Sequence, residues 1–208
     1  MKLPVLTPQG QQTERAVALN AHIFGLTPDK HQVWLAVRQQ LAAQRQGTHK
    51  AKEKSEITAS TRKVQKQKGT GNARKGSLKS GILRGGGRFF GPKPRDYSFK
   101  INKKQKRLAR RCALSHRAQQ QQITVVESLA LTTPKTKDYL AILKQLGLQE
   151  KKTLVILPTD DRNLLLASRN LPMASLTTVS GLNTYQVLHA QQLIFVESAL
   201  PLLEKQLA

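Results

Sequence analysis

Lysine and arginine crowd the stretch from Lys63 to Arg111, and four aromatic residues lie among them: Phe89, Phe90, Tyr97 and Phe99. Such cations neutralise phosphate groups and release counterions, which gives affinity for nucleic acid without reading its sequence. Aromatic rings stack on unpaired bases, which RNA exposes in loops and bulges. Because most of this stretch has no apolar periodicity, it is unable to build a hydrophobic core. The residue types therefore predict an RNA-binding arm.

The positive charge of the chain is concentrated in one region. The 208 residues carry a formal net charge of +23, from 35 basic and 12 acidic residues. Residues 45–111 hold 22 of the basic residues and only three of the acidic ones, Glu53, Glu56 and Asp96. The remaining 13 basic and nine acidic residues are typical of a globular surface. Affinity for a polyanion is therefore predicted for one segment of the chain.

Two glycine motifs in this segment resemble phosphate-binding loops, but each lacks an essential residue. In the run GTGNAR, which begins at Gly69, Arg74 replaces the third glycine of the dinucleotide fingerprint, and no apolar strand precedes the run. The segment from Gly71 to Ser77 has both P-loop glycines, yet no lysine follows Gly76. Both motifs are more typical of a flexible arm, so we predict no cofactor.

The other reactive residues do not predict a catalytic or metal site. The histidines have no ligand spacing with one another or with Cys112, which lies among alanine and leucine as a small buried residue does. Asp160 and Asp161 follow an apolar segment, where paired carboxylates are able to bind Mg²⁺. The pattern favours a structural interpretation, in which Asp160 caps the next helix and Asp161 stabilises its N-terminal dipole. We predict a protein that is not an enzyme.

Secondary structure flanks the basic segment on both sides. The apolar segments Lys2 to Thr7 and Arg15 to Leu19 predict a small hairpin or two edge strands. Thr27-Pro28-Asp29 is a helix start, with Thr27 as the predicted N-cap, Pro28 at the first helical position and Asp29 in the first turn. Val33, Trp34, Val37 and Leu41 follow at helical spacing, which predicts a helix to about Gln46 with one face on a core. After the basic segment, Asn102 is the predicted cap of a second helix, which ends at the glutamines 119–122 and has an apolar stripe of Leu108, Ala109, Cys112 and Ala113.

The rest of the chain alternates between strands and helices. Strands are predicted for residues 123–127, 153–157, 175–179 and 193–196, and helices for residues 136–146, 161–169, 183–189 and 199–207. This order predicts an α/β fold with a mainly parallel sheet and helices on both faces. Residues 1–47 and 101–208 would form the globular domain. Residues 48–100 would form an extended loop between two helices, since they far exceed the usual limit of about 15 residues for a loop.

The N-terminus MKLPVLTPQG lacks the apolar region of a secretory signal, and no run approaches the roughly 18 apolar residues that span a bilayer. With a single cysteine there is no internal disulfide framework, which is consistent with a reducing compartment. A cytoplasmic protein without a membrane partner is therefore expected. The competing idea, a membrane-surface role, would require a bulky apolar helix face that the basic stretch lacks.

The predicted RNA contacts are the cations and three of the aromatic residues between Arg62 and Arg111. They are Arg62, Lys63, Lys66, Lys68, Arg74, Lys75, Lys79, Arg84, Arg88, Phe89, Phe90, Lys93, Arg95, Tyr97, Lys100, Lys103, Lys104, Lys106, Arg107, Arg110 and Arg111. For the four aromatic residues Phe89, Phe90, Tyr97 and Phe99, the alternative is that the rings fold back onto the globular body as a short anchor.

Three motifs in this order and spacing resemble one family. They are KQKGTGNARKGS at Lys66 to Ser77, GGGRFFGPKPRDY at Gly85 to Tyr97 and NKKQKRLARRCALS at Asn102 to Ser115. Within an α/β body they look like the bacterial large-subunit ribosomal protein four, over essentially the whole length. The chain departs from the family pattern at Val64 to Lys66, where an aromatic residue is usual, and at Gly81 to Leu83, where a proline and an aromatic residue are usual.

The resemblance implies a structural constituent of the large ribosomal subunit that binds large-subunit ribosomal RNA and aids subunit assembly. Its loop would reach the wall of the nascent-peptide exit tunnel, near a constriction shared with a second ribosomal protein, and would meet the nascent peptide in passing. Some members of the family also repress their own operon. The residues that the resemblance places at the tunnel-proximal tip are Lys66, Gln67, Lys68, Gly69, Thr70, Gly71, Asn72, Ala73, Arg74 and Lys75.

Two other classes of function remain open from the residues alone. An RNA-modifying enzyme would use the α/β domain to bind a cofactor and the basic segment to guide its substrate. It would require a glycine-rich turn directly after a strand, and neither ITVVE nor TLVIL is followed by one. An RNA chaperone or messenger-binding regulator would have the same charge pattern without residence on the ribosome.

Overall fold

The computed structural model describes residues 1–207. Contacts within the chain divide it into two compact units. The globular unit consists of Met1–Leu41 and the chain from Lys100 onward, and the loop unit consists of Ala42–Phe99.

A six-stranded sheet forms the centre of the globular unit. Its strands lie in the order β2-β1-β3-β6-β4-β5, and their bounds are β1 Lys2–Leu6, β2 Gln12–Ala18, β3 Ile123–Val126, β4 Thr153–Leu157, β5 Ala174–Thr178 and β6 Gln192–Val196. β1 and β2 form an antiparallel hairpin, with β2 at the edge, and the other neighbouring strands pair in parallel. The predicted mainly parallel sheet is confirmed.

Helices cover both faces of this sheet. Their bounds are α1 Ala21–Phe24, α2 Lys30–Ala43, α3 Lys103–Gln119, α4 Thr136–Gln145, α5 Arg162–Ser168, α6 Thr184–His189 and α7 Ala199–Leu207. None of the helices in residues 1–207 combines the length and apolar character that crossing a membrane requires.

Strand β4 shows how the sheet divides the core into two layers. Leu154 and Ile156 join an apolar cluster with residues of α1, α3, α6 and α7, whereas Val155 and Leu157 join a second cluster with residues of α4 and α5. Successive side chains of a strand point to opposite faces, so both faces are buried and the strand needs no polar positions. The prediction of an α/β fold with helices on both faces is therefore confirmed.

Helix α2 forms as predicted, but the prediction that it lays one face on a core is wrong. None of its residues is buried, and the side chains of Trp34 and Leu41 are 52% and 45% exposed. The Trp34 ring instead contacts the His31 ring, at 5.8 Å between centroids, and the Arg38 guanidinium, at 5.1 Å. Apolar spacing reveals which residues share a helix face, but the same spacing occurs whether or not that face is covered.

Helix α3 packs on the core through small residues. Its buried residues include Ala109, Cys112 and Ala113, while Leu108, which was predicted to lie in the same apolar stripe, is 38% exposed. The Ser115 hydroxyl donates a hydrogen bond to the carbonyl of Ile23 in α1 (2.8 Å), which ties the two helices together. α3 therefore presents its opposite side, which is rich in lysine and arginine, for other contacts.

Three predicted helix caps differ in detail from the structure. Asp29, rather than Thr27, precedes α2 and accepts a hydrogen bond from the N–H of His31 (2.9 Å). Asn102 is at the N-cap position of α3, but its side chain makes no capping hydrogen bond. Asp161, rather than Asp160, caps α5, since its carboxylate accepts from Asn163 N–H at 2.8 Å and from Leu164 N–H at 3.3 Å. The structural interpretation of this acidic pair is supported, with the cap one residue later.

Candidate nucleic-acid interface

The loop unit folds back on itself without forming a helix or a sheet of its own. Backbone hydrogen bonds of 2.9–3.1 Å join an outgoing limb, residues 47–52, to a returning limb, residues 88–95; they run from Ala51 N–H to Pro92 O, from Arg88 N–H to Lys52 O and from Arg95 N–H to Gly47 O. The two limbs therefore hold each other in register, and the residues between them form a projecting segment.

Tyr97 is the centre of a cluster that closes the base of the two limbs. The guanidinium carbons of Arg45 and Arg95 lie 3.8 Å and 4.5 Å from the centroid of its ring, and its hydroxyl is 2.9 Å from Nε2 of His49. Cations over an aromatic face are attracted by its negative quadrupole. The structure thus places Tyr97 and Arg95, two predicted RNA contacts, in contacts within the loop unit. Sequence reasoning missed Arg45 as their partner because the contact is between distant positions.

Glycines in the loop unit fall into two groups. In the first group an added Cβ would collide with other atoms of the loop unit, at distances of 1.8–2.6 Å; these glycines are Gly47, Gly81, Gly86, Gly87 and Gly91. In the second group an added Cβ would meet nothing within 4 Å; these are Gly69, Gly71, Gly76 and Gly85. The first group is required by close approach within the unit. The second group leaves bare backbone facing outward.

The neighbouring Phe89 and Phe90 have different surroundings. The ring of Phe89 lies directly against Gly81, where an added Cβ would be 2.5 Å from a ring carbon, and its side chain is 55% exposed. Phe90 is fully exposed, and its backbone has a φ of +51°, which is unusual for a bulky residue. Phe89 therefore anchors the loop unit internally, whereas Phe90 projects from it.

The few carboxylates of the loop unit are engaged within it. Glu53 pairs with Lys93 at 2.5 Å, and Glu56 pairs with Lys50. Hydrogen bonding from the Lys50 ammonium lowers the pKa of Glu56, and hydrogen bonds from Ser98 lower the pKa of Asp96. In the described part of the chain, Lys50 and Lys93 are the loop-unit cations that form ion pairs, so most of the positive charge remains uncompensated.

The predicted loop contacts lie largely on the surface. Every residue from Lys66 to Lys75, the predicted tip, is exposed. Of the other cations predicted to bind RNA in this unit, Lys79 is half-buried and the rest are exposed, namely Arg62, Lys63, Arg84, Arg88, Lys93 and Arg95. Three further exposed cations, Lys50, Lys52 and Lys54, were missed, although their charge and position in the basic region could have identified them.

Helix α3 and Lys100, three residues before its first residue, carry the second group of predicted contacts. Lys100, Lys103, Lys104 and Arg107 are exposed, and Lys106 is half-buried. Burial, and then the charge of Arg107, lowers the pKa of the half-buried Arg110.

Arg111 is placed differently from the other cations of α3. Its guanidinium donates a hydrogen bond to the carbonyl of Leu207 in α7, and its Nε is buried. Arg111 therefore contributes to packing within the globular unit.

Among residues 1–207, no group of three or more His, Cys, Asp and Glu side chains is arranged to hold a metal ion. The described residues thus carry exposed cations in two places, on the loop unit and, within the globular unit, along one side of α3.

The chain is similar to other proteins over almost its entire length. Residues 17–206 match the model of the ribosomal protein L4/L1 family. Relatives called large ribosomal subunit protein uL4 include that of Amoebophilus asiaticus, with 54% identity over 96% of this chain and 95% of the relative, and that of Christiangramia forsetii, with 49% identity over the whole of both chains. The protein of the same name from Bacteroides thetaiotaomicron is 51% identical over 96% of each chain. The resemblance inferred from the three motifs is thus confirmed: the chain belongs to the ribosomal protein L4/L1 family.

Proposed function

We propose that this protein is a structural constituent of the large ribosomal subunit, and that it binds large-subunit ribosomal RNA through the loop unit and the cationic side of α3. The observation that carries the proposal is the surplus of exposed cations on the loop unit, whose few carboxylates are engaged within the unit. RNA supplies the phosphates that such a surface requires. The relatives named as large-subunit proteins, at about half identity over the full length, support the same assignment.

The tip, Lys66–Lys75, is proposed to reach the wall of the nascent-peptide exit tunnel and to help RNA helices pack during assembly. Its partners there would be large-subunit RNA, a second ribosomal protein at the tunnel constriction and the nascent peptide in passing. The complete exposure of the tip and its four cations support a role outside the protein's own fold. This role belongs in the cytoplasm, on the ribosome, and is one of binding rather than catalysis.

Sedimentation of ribosomal subunits in high salt tests the proposed function. An integral subunit component is held by many contacts and by the RNA folded around it, so it should remain with the large subunit after a wash that removes loosely bound factors. Mass spectrometry of the sedimented subunits measures how much protein is retained relative to other large-subunit proteins. Recovery in the supernatant would contradict the proposal and favour an RNA-modifying enzyme or an RNA chaperone.

Phe90→Ala should weaken binding to large-subunit RNA by about tenfold, since stacking of one base on an aromatic ring contributes roughly 1–3 kcal/mol. Phe90 is chosen because its side chain is fully exposed and is not packed against the rest of the loop unit. Filter binding with transcribed large-subunit RNA measures the change, and Phe90→Trp should retain affinity.

Phe89→Ala is the matched control for this prediction, because Phe89 packs against Gly81 instead of projecting outward. It should have a smaller effect on RNA affinity than Phe90→Ala. A larger loss for Phe89→Ala would show that the two rings have the opposite roles.

A further inference from the structure

An open pocket of about 470 Å³ lies within the projecting segment of the loop unit, where the chain enters and leaves the tip. Three of its lining residues are cations (Arg62, Lys63 and Lys66), and Gln65, Val64 and Leu78 also line it. Its volume lies in the range of pockets that hold small molecules, about 300–1,000 Å³. No carboxylate lines it, so its charge is not balanced from within the protein.

The pocket has three chemical features, and the free protein supplies no complementary group for any of them within the pocket. The cationic side chains provide positive charge. Val64 and Leu78 are 43% and 48% exposed, and they form an apolar wall. The Oε1 atom of Gln65 is buried and has no hydrogen-bond partner among the described residues. A buried acceptor without a donor is costly, and Gln65 lines the pocket, so a rotation of its side chain that offers this oxygen to a ligand N–H group would be favourable.

Two contacts hold this pocket in shape. The N–H of Val64 donates to the carbonyl of Gly76 at 3.0 Å, which fixes the apolar wall across the two sides of the segment. The Lys63 ammonium donates a hydrogen bond to the side-chain oxygen of Gln67. The Gln67 amide oxygen therefore already has a donor. Gly76 itself has nothing within 4 Å of where its Cβ would lie, and its φ lies outside the left-handed region. The free protein therefore gives no reason for a glycine here, whereas close passage of an RNA backbone beside the pocket does.

From these features we infer that the pocket binds a single unpaired nucleotide of the RNA, extruded from its stack. Its phosphate would meet the cations, one face of its base would lie on Val64 and Leu78, and an N–H group of the base would donate to Gln65. An unpaired nucleotide offers these three groups together, and proteins recognise RNA mainly at such nucleotides. The inference rests on the proposed function and adds a site with a defined ligand to it.

Chemical probing of large-subunit RNA bound to the full-length protein tests the inference. Dimethyl sulfate and a reagent that acylates 2′-hydroxyl groups report the accessibility of each nucleotide. With Gln65→Leu, we expect one nucleotide in the footprint to regain reactivity while the other nucleotides stay protected. The affinity for the RNA should fall by about tenfold, because the N–H group of the base loses its acceptor. Leu78→Ala should release the same nucleotide.

Gln149→Leu is the matched control, since Gln149 is an exposed glutamine of the globular unit and does not line the pocket; its footprint should equal that of the wild type. A wild-type footprint for Gln65→Leu would overturn the inference, as would release of different nucleotides by Gln65→Leu and Leu78→Ala. Binding of a glutamate-rich peptide by the wild type but not by Gln65→Leu would assign the pocket to a protein partner and would also overturn it. The absence of any footprint with the wild-type protein would instead contradict the proposed function itself.

Discussion

Deleting Thr58–Arg95 should leave the globular unit folded and reduce stable incorporation of the protein into large ribosomal subunits by at least about tenfold, because this segment carries eleven cations and no carboxylate. Neither of the two apolar clusters contains a residue between Ala42 and Phe99, so the deletion removes nothing from the core. Circular dichroism measures the fold. Quantitative mass spectrometry of purified subunits measures incorporation.

A full-length variant in which the same eleven cations are replaced by glutamine separates the effect of charge from that of length. It should incorporate nearly as poorly as the deletion if phosphate neutralisation provides most of the binding. Loss of the helical signal in the deleted protein would show that the globular unit depends on the loop unit for its stability. Normal incorporation of either variant would contradict the proposed role of the loop.

Binding of the protein to large-subunit RNA should weaken by about a thousandfold between about 50 and 200 mM salt if about six phosphates are neutralised. Each phosphate contact releases counterions into solution, and the free energy of that release falls as the salt concentration rises. Filter binding at a series of salt concentrations gives the slope of log affinity against log salt, which measures the number of contacts.

Two variants make the salt experiment specific to the loop. Replacing Lys66 and Lys68 by glutamine should reduce the magnitude of the slope by about two if both contact phosphate. Replacing Arg111, which donates to the carbonyl of Leu207, should change the slope less. A slope close to zero for the wild-type protein would exclude a mainly electrostatic arm.

The globular unit was largely predictable because its signals are local. The apolar runs of β4 and β6 are buried along their length, as expected for strands with helices on both faces. Helix α1 was missed because four residues are too few for a periodic pattern. The packing of α2 was mispredicted because the spacing of Val33, Trp34 and Val37 defines a helix face without revealing whether another element covers it.

The candidate site was predictable in its composition but not in its geometry. Charge alone identified most of the exposed cations of the loop and of α3. The pairing of the two limbs, the cluster around Tyr97 and the pocket beside Gln65 all depend on contacts between residues far apart in sequence, for which there is no periodic signal. The division of roles between Phe89 and Phe90 was also inaccessible, since both are flanked by arginine and glycine.

Trp34 is the only tryptophan of the chain, and it lies half-exposed on α2 in the globular unit. The protein thus carries one indole, outside the loop unit, which can be excited at wavelengths where its three tyrosines absorb little, and its proposed partner, RNA, has no indole. Selective excitation of this side chain would follow unfolding of the globular unit in the ribonucleoprotein complex itself, without a dye or a label. The contribution of bound RNA to the stability of the globular unit then becomes directly measurable as a shift in that transition.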